Sequence, residues 1–109
     1  MSTSIPRGNI LKMFAVAVTF NPASVATITT AEQTATVTGV KVGDIVMCWN
    51  KPTNTVGVGV VNARVSAADT LAITFVNPTA GGVDAASETW IFVIARPETP
   101  GALPSIVNA

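Results

Sequence analysis

Six carboxylates, six cations and one thiol are the ionisable side chains of this sequence, which has no histidine and no tyrosine. Without histidine, a Ser-His-Asp triad, a Cys-His dyad and a histidine-metal centre are all excluded. The carboxylates Glu32, Asp44, Asp69, Asp84, Glu88 and Glu98 fall in expected loops, turns or strand starts. A glycosidase needs two opposed carboxylates across a cleft, usually with aromatic platforms for the sugar. Here the aromatics Phe14, Phe20, Trp49, Phe75, Trp90 and Phe92 all fall in expected strands and read as core. A calcium site built on Asp84 and Glu88 would also need backbone carbonyls. Gly81-Gly82 lacks the Lys and Ser/Thr that follow a phosphate-binding loop. Cys48 is alone, so it has no disulfide partner within the chain. Its flanks, Val46-Met47-Cys48-Trp49, read as a buried strand in which the thiol is a small hydrophobe with no base to activate it. No catalytic, cofactor-binding or metal-ligating residue is assigned, and the expected protein is not an enzyme.

The remaining composition describes a shape and a surface. Thr, Ala and Val supply 47 of the 109 residues, which favours short strands. Charged residues make up 11% of the chain, against about 25% in a typical soluble domain. Mean hydropathy is +0.52, so apolar surface should be hidden against partners. Net charge is zero and the basic residues are scattered, with no two adjacent. Nucleic-acid binding needs several phosphates neutralised on one face and is not expected. No apolar run reaches the ~18 residues that span a bilayer. Arg7, Lys12 and the apolar run Met13–Phe20 superficially resemble a signal peptide, but Phe14–Phe20 alternates large and small side chains as a strand does. The expectation is synthesis in a host cytoplasm without an export signal.

The length suits one domain. Strands are expected over Phe14–Phe20, Thr34–Thr38, Ile45–Asn50, Gly57–Val65, Thr70–Val76 and Ser87–Ala95, punctuated by Asn-Pro, Gly-Asp and Gly-Gly. Gly57 and Gly59 suggest a bend or a close backbone approach. The last strand is apolar on both faces, so it should be central or covered by a partner. Ala23–Thr30 is the one helical candidate, weakened by its β-branched residues. Asn21-Pro22 and Asn77-Pro78 echo each other as strand stops. The predicted architecture is all-β, a single antiparallel β-sandwich or flattened barrel of about six to eight short strands. An N-terminal arm (1–13), a sandwich domain (14–97) and a proline-rich extended C-terminal arm (98–109) complete it.

The arms hold apolar residues with no strand pattern to join. A 13-residue segment reaches at most ~43 Å when extended, enough to contact a neighbour. Ile5, Ile10, Leu11 and Met13 in the first arm, and Leu103, Ile106 and Val107 in the second, are therefore the expected partner or oligomer contacts. Arg64 is added as an exposed charged contact.

Several phrases resemble a known family. They are Asn21-Pro22-Ala23-Ser24-Val25, Thr30-Ala31-Glu32-Gln33-Thr34, Val37-Thr38-Gly39-Val40-Lys41-Val42-Gly43-Asp44 and Asn50-Lys51-Pro52-Thr53. Others are Val61 to Phe75, Asn77-Pro78-Thr79 and Ala95-Arg96-Pro97. Over about residues 14–97 the chain is similar to small structural proteins of tailed bacteriophages, including head decoration (capsid cement) and head-fibre proteins. The resemblance implies a β-sandwich carried on the virion, with no enzymatic residues to transfer. It leads to the expectation of a decoration protein on the capsid exterior that binds the major capsid protein and its own copies, as a homotrimer. The alternative is a head- or tail-fibre module that binds a host glycan or protein receptor.

Overall fold

A computed structural model of the chain describes residues 8–98 and 103–105. Six strands are divided between two sheets: β1 (Ile10–Phe20), β2 (Thr29–Thr36), β3 (Ile45–Asn50), β4 (Gly59–Ala67), β5 (Thr70–Asn77) and β6 (Glu88–Pro97). One sheet has the order β1-β6-β3 and the other β2-β5-β4. Every pairing is antiparallel, and no helix occurs among the described residues. The architecture is the expected β-sandwich, with β6 in the middle of its sheet as its two-sided apolar pattern required.

The sheets are held together by aromatic side chains that alternation sends inward. Phe20 of β1 stacks on Phe75 of β5 with ring centroids 6.1 Å apart, joining the two sheets. Trp90 meets both rings edge-on at 6.0 and 5.9 Å and stacks on Phe92 at 5.8 Å. Leu71, Ile73 and Ile94 fill the remaining centre and are fully buried. A core of this kind rests on area: each fully buried large side chain is worth about 1.5–3 kcal/mol.

Several boundaries differ from the sequence reading by a residue or two at the strand ends, and three strand starts differ by two residues or more. First, β1 begins at Ile10, so Ile10, Leu11 and Met13 are strand residues and not arm. Pairing with β6 extends the strand: Ile10 lies opposite Pro97 and Met13 opposite Ala95. Second, β2 begins at Thr29 and not Thr34, and the helical candidate Ala23–Thr30 is loop and strand. Val25 makes an isolated bridge to Val83. The Gln33 amide clamps the Ala23 backbone, accepting from its N–H at 2.6 Å and donating to its carbonyl at 3.0 Å. Third, β4 begins at Gly59 because Gly57 turns the chain with φ +92°. A Cβ there would lie 3.1 Å from Thr79 Cγ2 and 3.2 Å from Val83 Cγ2, so the expected close approach is real.

Two polar clusters fix the corners. At Lys41–Asp44 the turn closes with Asp44 N–H donating to Lys41 O at 3.0 Å, and Gly43 supplies the positive φ of a type II turn. Asp44 then accepts from Arg96 Nε at 2.8 Å and Nη2 at 2.7 Å, tying the start of β3 to the end of β6. At the other end Asn77 is fully buried. Its amide donates to Val25 O at 2.9 Å and Gly81 O at 2.8 Å, and its oxygen accepts from Thr79 N–H at 2.8 Å.

Candidate interaction face and cleft

The outer face of the β1-β6-β3 sheet has no second layer among the described residues. Register places Met13, Ala15 and Ala17 of β1 beside Ala95, Val93 and Ile91 of β6. On the other side of β6, Ile45 and Cys48 of β3 lie opposite Ala95 and Val93. No charged side chain lies among these eight. Met13 is 56% exposed, Ile45 46% and Ile91 38%. The patch is bounded at one end by Thr19 and Thr89, whose hydroxyls are 3.0 Å apart. With strands ~4.8 Å apart and ~3.3 Å of rise per residue it covers a few hundred Å². Apolar patches of a few hundred Å² are often functional, and larger ones mark interaction sites.

Cys48 belongs to this face, and the buried reading is corrected: the thiol is exposed. A β-bulge between Val46 and Cys48 is the cause. Val46 points inward opposite Ile94, one extra residue (Met47) bulges, and Cys48 then falls outward opposite Val93. The same slip turns Trp49 inward, opposite Phe92.

Trp49 thereby lines a cleft of about 360 Å³ on the side of the sandwich where β3 and β4 form the sheet edges. Its floor is Phe75, Val58 and Val60, and its wall is the loop Lys51–Thr55. Trp49 had read as core along with the other strand aromatics; the bulge brings it to the inner side, where it lines the cleft. The loop is pinned by Glu88, which accepts from Thr53 N–H at 3.1 Å and Thr53 Oγ1 at 2.8 Å and pairs with Lys51 Nζ at 2.8 Å. Hydrogen bonds from Lys51, above all, and then Thr53 hold the Glu88 carboxyl below the usual range against the opposing effect of burial. Lys51 also donates to Thr53 O and Thr55 Oγ1, and it sits 5.9 Å from the Trp90 ring centroid. The cleft is therefore preformed and electrically balanced.

The other expected contacts are distributed. Ile10 and Leu11 are exposed near the start of β1, where a register shift lies between Ile10 and Lys12. Leu103 is 47% exposed, whereas Ile5, Ile106 and Val107 lie outside the described residues. Arg64 is on the opposite sheet, bidentate to Glu32 through Nε and Nη2, each at 2.8 Å. Register sets Arg64 opposite Ala72 and Glu32 opposite Thr74, so the pair arches over β5 and covers Ala72. Among the described residues no three His, Cys, Asp or Glu side chains come together as a metal site, and Glu88 is committed to Lys51 and Thr53. No protein-family model, curated protein or solved structure matches the chain.

Proposed function

We propose that this chain is a non-enzymatic structural virion protein of a tailed phage, one that decorates the capsid exterior and cements it. Its partners are the major capsid protein and its own copies, with a trimer as the expected oligomer, and it is made in the host cytoplasm. The sequence resemblance supports the virion setting. The observation that carries the mode of action is the charge-free outer face of the β1-β6-β3 sheet. Such a face loses nothing by desolvating charge when covered, and each buried Å² contributes about 25 cal/mol. Repetition over a shell multiplies a modest contact into a stable coat.

The test adds the protein to undecorated heads and measures bound copies and the temperature at which heads burst. The parent chain should bind and raise that temperature. Ile91→Lys alters an exposed residue of the face and should fold normally, yet lose roughly tenfold or more in affinity per copy. A parent chain that ignores heads would sink the proposal, and copies imaged along a fibre would move it to the fibre alternative.

A further inference from the structure

We infer that the Trp49 cleft receives the proline-rich segment 98–109 of a neighbouring copy, so that the arms link subunits by exchange. This rests on the self-association part of the proposed function and not on attachment to a head. The sheet face covers only a few hundred Å², whereas a standard stable interface takes about 800 Å² from each partner. A second contact is needed, and the Trp49 cleft is a concave feature suited to supply it.

The chemistry of the two sides matches. The cleft offers an indole (Trp49), a proline (Pro52) and aliphatic floor residues, with Thr53, Asn54 and Thr55 at the rim. Proline-rich segments dock in aromatic-lined grooves because their extended form is set before binding, which lowers the ordering cost. Residues 98–109 include Pro100, Pro104, Leu103, Ile106 and Val107 and carry one charge, Glu98. A neutral cleft suits a nearly neutral peptide: Lys51 and Glu88 satisfy each other at 2.8 Å and leave no net charge to select an ionic ligand. Leu103 is half-exposed in the isolated chain, without a core of its own.

Geometry selects a neighbour over the chain's own arm. The cleft lies at the Glu88 end of β6, because Glu88 anchors its wall. The arm leaves after Pro97, the last residue of this ten-residue strand, about 30 Å away at ~3.3 Å per residue. Glu98 N–H still donates to Asn9 O at 2.8 Å, so the chain is heading away from the cleft as it departs. Its own arm would have to double back along the sheet, while a copy packed antiparallel to it brings the start of its arm to the cleft.

The test uses two full-length variants and analytical ultracentrifugation. Leu103→Ser with Pro104→Ser weakens the arm, and Asn54→Arg blocks the cleft mouth at an exposed residue without touching the core. Each alone should raise the self-dissociation constant at least tenfold. Mixed in equal amounts they should form a heterodimer, because one copy retains an intact arm and the other an intact cleft. A synthetic peptide of residues 97–109 should shift the Trp49 indole resonance of the arm variant and leave that of Asn54→Arg unmoved. Parent-like association of either variant, or a mixture that stays dissociated, overturns the inference. If Ile91→Lys alone abolishes association while both these variants associate normally, the arm exchange fails and the sheet-face reading stands.

Discussion

Asp44 holds three donors at once: Lys41 N–H at 3.0 Å, and Arg96 Nε and Nη2 at 2.8 and 2.7 Å. Its side chain is fully covered. The Arg96 hydrogen bonds, opposed by burial and helped by the Lys41 N–H, keep its carboxyl below the usual range. A carboxyl whose folded value is depressed stabilises the fold above its unfolded value, near 3.9, and that stability is lost as pH falls through the lower folded value. Asp44→Ala leaves Arg96 facing a vacated acceptor and should cost on the order of 3 kcal/mol, read as a lowered midpoint in urea at pH 7. The variant should also lose less stability than the parent between pH 5 and 2, since it has one depressed carboxyl fewer. Cys48 gives a second prediction at this scale. An exposed thiol should react with a maleimide in the native state at nearly the rate of a free cysteine. If the sheet face is what subunits cover, the same labelling should slow as protein concentration rises through assembly, with no change in the fold.

At the scale of elements, the strand alternation was readable because apolar and small residues keep period two. Ile45–Asn50 was placed at its true bounds, and the two-sided apolar pattern of β6 foretold its central position. The alternation of Phe14, Val16, Val18 and Phe20 did fix the inward face of β1. The bulges were not readable. One extra residue at Met47 reverses the facing of Cys48 and Trp49, and no local residue type announces it, because pairing with β6 sets the register. The cleft was hidden for the same reason, because Trp49 reaches it only through the bulge. Of the face residues only Cys48 depends on it, and the outward side of β1 and β6 was legible in Ala15, Ala17, Ile91 and Val93. The start of β2 was missed because Gln33, distant in sequence from Ala23, holds the preceding loop in place. Asn77 had read as a simple strand stop, yet it ties together two loops and the end of β5. Asn77→Ala leaves the Thr79 N–H without its acceptor and takes one of two donors from each of the Val25 and Gly81 carbonyls, which keep Val83 N–H and Thr79 Oγ1. The expected cost is about 2–3 kcal/mol, with faster amide exchange confined to the Val25–Val83 bridge and its loops. Arg64→Ala removes an exposed pair with Glu32 and should change stability little, because surface pairs gain little in water.

For the whole molecule, the distribution of charge decides what kind of assembly is possible. Among the described residues the ion pairs Lys51–Glu88, Arg64–Glu32 and Arg96–Asp44 are internal to the chain, and the outer face of the β1-β6-β3 sheet carries none. Subunits joined through that face gain by removing apolar area from water, and screening by salt has little to weaken. Excluded salts strengthen such burial instead. Self-association measured by sedimentation should therefore hold or tighten from 0.05 to 1 M sodium chloride, and tighten further in sodium sulfate. It should also weaken on cooling toward 5 °C, because the hydrophobic driving force fades as temperature falls. Dissociation by sodium chloride would mean that charged surfaces make the contact. The apolar face would then be covered by something other than a second copy, and Ile91→Lys would be expected to leave the oligomer intact.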